Sequence, residues 1–344
     1  MDRLKRYVEC YVPITTCNLK CHYCYITRQQ KWKDQILPIG HSAEEIARAL
    51  SKKRLGGTCL INMCGGGETL LCPDIIEVVK ALLEEGHYVM VVTNGTVTKV
   101  LKQFTMLPKE LLKHLIFKFS YHFLEHKRLG ITEMFFQNIN MMRNAGCSFT
   151  LEITPNDELI SHIPEVKEEV LKYLGALCHI TIARDDITES IPILTELKDE
   201  DFYDTWGQFD SPLFDFKKTI FGKRQCDFCY AGDWSIYVHL GTGVMTQCYA
   251  EKELDNIYEN IDKPLHFEAV GRKCRSPHCY NGHAFLSLGD IPNMDSPTYA
   301  HLRNRTDENG REWLNEDVKE FLSGKLRDSN KEYSKLKKWW INRK

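Results

Sequence analysis

From residue 7 to about 183 the sequence alternates short β-rich runs with amphipathic helical stretches, and this alternation constrains the fold more than any other feature. Strands are expected over 7–13, 58–63, 88–93, 115–120, 148–154 and 178–183. Helical stretches are expected near 43–54, 73–85, 97–113, 131–145 and 163–173. Gly86 and Gly146 stand just after helices and just before strands, where a left-handed C-cap is wanted. Pro73 falls at an expected first helical turn. The strands are nearly continuous apolar runs, such as Val89-Met-Val-Val, which suits parallel strands covered by helices. Six such units make a partial, open barrel whose chemistry gathers at the C-terminal strand ends.

Motifs fall at those ends. Cys17-Asn-Leu-Lys-Cys21-His-Tyr23-Cys24 follows the first strand. Its C-x3-C-x2-C spacing reaches three corners of a 4Fe–4S cubane and leaves the fourth iron open, as a reactive metal site requires. Half of a zinc site, or three buried thiols, are the plainer readings of the same residues. Gly66-Gly67-Glu68 follows the second strand, Thr93-Asn94-Gly95 the third and Ser120-Tyr-His122 the fourth. Thr154-Pro-Asn156-Asp157 and Arg184-Asp-Asp follow the fifth and sixth. The glycines allow close backbone approach, and the neighbouring carboxylate suits an ammonium group. In isolation the same residues read as a glycine-rich turn.

A second cysteine set begins at Cys226 and Cys229. A β-hairpin is expected next, with Gly241 and Gly243 at its turn, followed by Cys248, Cys274 and Cys279. Four cysteines in two pairs also suit tetrahedral zinc. The chain divides on these grounds into 1–184, the partial barrel; 185–224, an acidic and aromatic helical bridge; 225–290, the second cysteine unit; and 291–344, a helical tail. In that tail Tyr333, Leu336 and Trp340 recur at helical spacing, implying a surface helix that packs through its aromatics. The fold class expected is α/β: a partial (β/α)6 TIM-like barrel with a small C-terminal β-hairpin and helical unit.

The bulk numbers exclude some functions. A net charge of −2 over 344 residues gives no electrostatic case for nucleic acid. No apolar run reaches membrane-spanning length, and the N-terminus carries no signal-peptide core. A cytoplasmic location is expected, and there 14 cysteines argue for metal or redox chemistry over disulfides.

The cysteine triplet with its penultimate Tyr23, and the Gly66-Gly67-Glu68 that follows, resemble the radical S-adenosylmethionine (SAM) enzymes. The second set resembles the auxiliary-cluster domains called SPASM and twitch. The resemblance implies a SAM-binding 4Fe–4S cluster on Cys17, Cys21 and Cys24, and SAM held by Tyr23, Gly66, Gly67, Glu68, Asn94, Ser120 and His122. Arg184 would pair with the SAM carboxylate, or simply with Asp185 or Asp186. Cys229, Cys248, Cys274 and Cys279 would hold one auxiliary 4Fe–4S cluster. Cys226 is left as an inert thiol, a fifth ligand, or a catalytic hydrogen-atom donor. Asn281, His283, Arg303 and Arg305 either face a substrate cavity or form ordinary polar surface.

The activity implied is reductive cleavage of SAM to a 5′-deoxyadenosyl radical that takes hydrogen from a sugar, another small metabolite or a peptide. A low-potential donor such as flavodoxin or ferredoxin would supply the electron. About 16 residues precede Cys17, too few for a leader-peptide-binding domain, which weighs against peptide modification. The rival from another class is a metal-binding scaffold without SAM chemistry.

Overall fold

The computed structural model describes residues 2–249, 252–279 and 281–343. The strands are β1 (Arg6–Val12), β2 (Cys59–Gly65), β3 (Tyr88–Thr93), β4 (Leu115–Tyr121), β5 (Ser148–Ile153) and β6 (His179–Ile180), followed by β7 (Ser235–His239), β8 (Val244–Thr246) and β9 (Glu253–Asn256). They form one sheet in the order β6-β5-β4-β3-β2-β1-β7-β8-β9. Strands β1 to β6 pair in parallel. The sheet curves but does not close, in agreement with the partial barrel expected.

Side chains alternate between two environments along each strand. Val8, Cys10, Ile61, Met63, Val89, Val91, Phe117 and Phe119 join a core with the outer helices, through residues such as Val78, Leu82, Phe135 and Met142. The opposite face changes character along its length. Near the strand starts Tyr7, Leu60, Met90 and Ile116 meet Phe285, Tyr299 and Phe321 from C-terminal helices. Phe321 stacks on Tyr88 at 3.8 Å, and Phe285 meets Tyr7 edge-on at 5.4 Å. Each such ring pair adds roughly 1 kcal/mol beyond its buried area. Two residues further on, the same face carries Glu9, Asn62 and Lys118, joined by Glu152 of β5. The C-terminal helices thus plug the bottom of the barrel with apolar residues, while the inner face becomes polar toward the top.

The expected hairpin is present as β7 and β8, turning through Gly241 and Gly243. It does not stand alone: β7 pairs in parallel with β1, from Tyr7↔Ser235 to Tyr11↔His239, and extends the barrel sheet. Gly86 and Gly146 adopt φ of +89° and +104°, the left-handed caps expected.

Several expectations need correction. The helix over 97–113 is two, Thr98–Phe104 and Lys109–Leu112, because Pro108 lacks an N–H and disfavours helix at Leu107. The stretch 43–54 likewise splits into Ala43–Ala49 and Lys52–Leu55. Pro73 precedes the N-cap Asp74 of a helix that begins at Ile75. The sixth strand shortens to two residues, and a helix the periodicity missed covers Phe123–Leu129. The bridge becomes helical only at Asp199–Gly207 and Pro212–Ile220. In the tail, Tyr333 packs against Phe228 and Tyr230, whereas Leu336 and Trp340 of helix Lys335–Arg343 are 76% and 48% exposed and Ile341 is the buried residue of that helix. No helix among the described residues is long and apolar enough to cross a membrane.

Candidate functional site

The loop after β1 is shaped by the loop after β2. Gly67 N donates to Ile14 O at 2.7 Å, and Glu68 N donates to Thr16 O at 2.9 Å. A Cβ on Gly67 would lie 2.0 Å from the Thr16 carbonyl oxygen, and one on Gly66 would lie 2.8 Å from the Tyr11 hydroxyl. Only glycine permits this approach, and it fixes the backbone entering Cys17.

Cys17, Cys21 and Cys24 line one cavity at the C-terminal strand ends. The same cavity is lined by Gly66, Gly67, Glu68, Asn94, Ser120 and His122, so the loops after β1, β2, β3 and β4 meet there. Asn94 Nδ2 donates to Asn18 Oδ1 at 2.8 Å and to Cys17 Sγ at 3.7 Å. Leu19 N donates to the same sulfur at 3.5 Å. Tyr23 hydrogen-bonds His122 Nδ1 through its hydroxyl at 2.7 Å, and its hydroxyl also engages the Cys21 sulfur. Burial lowers the His122 pKa to about 4, so the ring is neutral near pH 7.

Glu68 is buried and already engaged. Its Oε1 accepts from Thr93 Oγ1 at 2.6 Å and Leu70 N at 2.9 Å, and its Oε2 accepts from Asn94 N at 2.7 Å. The carboxylate therefore orients the end of β3, with part of its acceptor capacity left for a ligand. Arg184 is not among the cavity's lining residues. Its Nε donates to Asp186 Oδ1 at 2.8 Å, while Asp185 pairs with Arg28.

Burial pushes the thiols up, Cys17 to about 11 and Cys21 to about 12, with Cys24 raised as well. Such thiols ionise when a metal takes them. N–H donors aimed at a cysteine sulfur are the environment that a bound cluster uses. The residues present fit a cluster with three protein ligands. Among the described residues no three His, Cys, Asp or Glu side chains converge as ligands of one metal ion. A cubane makes no such demand, because each thiolate takes its own iron.

Cys229, Cys248 and Cys279 interact electrostatically, and Cys274 interacts with Cys279, so the four expected sulfurs share one neighbourhood. They pack against the core cluster that contains Phe228, Tyr230 and Phe285. Ala231 N donates to Cys229 Sγ at 3.5 Å. Cys226 is exposed, with its sulfur 4.0 Å from Arg224 O.

Of the four polar residues placed beyond that set, Arg303 is fully buried in an ion pair with Glu152. Arg305 donates to the carbonyls of Phe209 at 3.0 Å and Cys178 at 3.4 Å, a fastening role in place of a cavity-facing one. Asn281 donates to the Tyr249 hydroxyl at 2.6 Å. His283 is buried on the inner face.

Sequence reasoning missed Trp32, whose indole lines the cavity and whose Nε1 donates to Cys17 O at 3.4 Å. No spacing marks it. It also missed Glu9, Lys118 and Glu152, although each is a charge inside an apolar strand run, a signal that was available.

Residues 11–170 match the model of the Radical SAM superfamily, slightly less than half of the chain. Two curated relatives are S-adenosylmethionine-dependent nucleotide dehydratases. The one from Lacinutrix mariniflava is 31% identical over 80 residues, 23% of this chain and 17% of the relative. The one from Flammeovirga pacifica is 34% identical over 84 residues, 23% of this chain and 27% of the relative. The aligned segments thus span about a quarter or less of those proteins. Among solved structures, Streptococcus suis SuiB superposes with a TM-score of 0.52 at 13% identity, covering 75% of this chain and 65% of SuiB. That likeness concerns the fold. The similarity to the Radical SAM superfamily thus lies in residues 11–170, the part of the chain that carries Cys17, Cys21, Cys24 and the Gly66-Gly67-Glu68 loop.

Proposed function

We propose that this protein is a radical SAM enzyme that abstracts a hydrogen atom from a small organic substrate, with one auxiliary 4Fe–4S cluster on Cys229, Cys248, Cys274 and Cys279. The observation that carries the reading is the single cavity shared by Cys17, Cys21 and Cys24 with the Gly66-Gly67-Glu68 loop, Asn94 and Ser120. A 4Fe–4S cluster held by Cys17, Cys21 and Cys24 would supply one-electron reductive chemistry toward bound SAM.

This chain's own residues do the rest. The glycine backbone and the remaining acceptor capacity of Glu68 receive the methionine ammonium. Asn94 and Leu19 stabilise the Cys17 thiolate through N–H···S contacts. Ser120 and neutral His122 offer hydrogen bonds to the ribose, and Trp32 offers an apolar face at the cavity wall. The inner face of the barrel, between the two cysteine sets, receives the substrate and shields it from water. SuiB, whose likeness to this chain concerns the fold, has been solved with SAM and with its precursor peptide SuiA.

The test is anaerobic reconstitution. About 8 irons per chain are expected, falling to about 4 when Cys17, Cys21 and Cys24 are all changed to alanine. Wild-type protein with dithionite is expected to release 5′-deoxyadenosine from SAM, and the triple variant to release none. A zinc-only protein, or an iron-loaded one that leaves SAM intact, would overturn the reading.

A further inference from the structure

Lys217 is an unusual residue for the place it occupies. It stands on the helix Pro212–Ile220, is 5% exposed, and faces the inner side of the barrel. Its Nζ donates to Thr181 Oγ1, just past β6, at 2.6 Å. Among the described residues no carboxylate pairs with it, and the charges acting on it are those of two cations, Arg184 and Lys118. Burial and these two cations hold the Lys217 pKa well below the ordinary lysine value, because a buried ammonium without a counter-charge is costly. An anion bound beside it would favour the charged form.

Three more nitrogen groups share this space. Lys118 rises from the inner face of β4, with Nζ 3.2 Å from Glu152 Oε2. Arg184 follows β6. His283 opens the helix Gly282–Leu288, and its buried Nδ1 has no hydrogen-bond partner. All six pairs that can be drawn among Lys118, Arg184, Lys217 and His283 interact electrostatically. The carboxylates at hand are committed: Glu152 serves Lys118 and Arg303, Asp186 serves Arg184, and Glu9 accepts from Tyr7 and Asn62. The local balance lacks an anion at Lys217.

We infer that the barrel interior holds an anion site for a phosphoryl group of the substrate, formed by Lys217, Lys118, Arg184 and His283. The four groups come from four different segments: β4, the stretch after β6, the helix Pro212–Ile220 and the helix Gly282–Leu288. A carboxylate presents two oxygens in one plane, whereas a phosphoryl group presents three acceptor oxygens and up to two negative charges. Arg184 interacts with Tyr25 of the first cysteine loop, and His283 lies four residues beyond Cys279. A substrate anchored here through its phosphate extends its carbon skeleton between the two cysteine sets. This deepens the reading above, resting on it only for the reaction, and names a phosphorylated metabolite as the substrate class.

The probe is inorganic phosphate, titrated calorimetrically into the reconstituted full-length protein without SAM, in phosphate-free buffer. Wild-type protein is expected to bind it. Lys217→Met is expected to weaken binding by about 10-fold or more, the worth of one charged hydrogen bond, and Lys217→Arg to recover part of it. Lys118→Met is a second variant with the same expected loss, and Lys335→Met, on the exposed tail helix, is the control expected to bind as wild type. Malonate is expected to bind at least about 10-fold more weakly than phosphate, given its planar carboxylates.

Melting temperature is read alongside. Lys217→Met is expected to melt no lower than wild type, since it removes a buried amine that lacks a counter-charge and keeps its volume. Phosphate affinity unchanged in Lys217→Met and Lys118→Met, no binding by wild type, or malonate binding as well as phosphate would each overturn the inference. SAM cleavage is assayed separately. Lost phosphate binding with cleavage intact sinks this site alone, and lost cleavage with phosphate binding intact sinks the reaction alone.

Discussion

Asn94 shows how one side chain can belong to two loops. Its amide reaches Asn18 and the Cys17 sulfur, while its backbone N–H is held by Glu68. An N–H donor to a cluster thiolate favours the more negative, reduced state. Asn94→Ala is therefore expected to lower the midpoint potential of the first cluster by tens of millivolts, the order set by a ~1 kcal/mol hydrogen bond in a one-electron couple. An EPR-monitored redox titration measures it, and an unchanged potential would count against the N–H···S assignment. The position of Asn94 after the third strand was legible in the sequence. Its contact with a sulfur 77 residues away was not, because that depends on how the strand ends converge.

At the scale of elements, the reading by period succeeded where one face is buried and faltered where packing decides. Strand β3 and helix Thr132–Ala145 match expectation within a residue, since apolar periodicity and a glycine cap agree there. The tail helix did not. The spacing of Tyr333, Leu336 and Trp340 suggested a buried face, yet within the helix Ile341 is the residue that docks, beside Gly271, with Asn342 Oδ1 accepting from Arg272 N at 3.0 Å. Gly271 in turn exchanges backbone hydrogen bonds with Cys229, so the tail braces the second cysteine set. Ile341→Ala is expected to cost about 2 kcal/mol or more in the protection of this helix, measured by native-state hydrogen exchange. Trp340→Ala is expected to change it by about 0.5 kcal/mol at most. The reverse order would return the aromatics to the packing role that their spacing suggested.

Across the whole molecule, burial holds several histidines neutral, and this couples stability to pH. His87 is fully buried, its Nδ1 accepting from Cys59 N at 3.1 Å and its Nε2 donating to Leu50 O at 2.9 Å. Protonating Nδ1 would break the first of these bonds, and burial lowers the pKa from 6.5 to about 4. Between those values the unfolded chain binds the proton and the folded chain does not. Stability is therefore expected to fall as pH drops from about 6.5 toward about 4, by at most ~1.4 kcal/mol per unit from this residue, and to level off below. His122, His126 and His179 are depressed in the same direction by burial. Urea unfolding at about pH 7 and about pH 5 tests this, with His87→Leu expected to show the shallower dependence on pH. Equal slopes in both proteins would remove His87 from the account.

What the sequence by itself determined is the repeating strand–helix plan and the cysteine spacings, because periodicity and short-range ligand geometry are local properties. The order of motifs along the chain also named the strand ends where they meet. Tertiary structure alone decided that the hairpin continues the barrel sheet through β1, that Glu68 also orients the end of β3, and that Cys226 is exposed. It alone brought Lys118, Arg184, Lys217 and His283 together from four segments. The physical reason is that charge balance and burial are sums over neighbours distant in sequence, and a buried lysine reveals its missing anion only once all of those neighbours are in place.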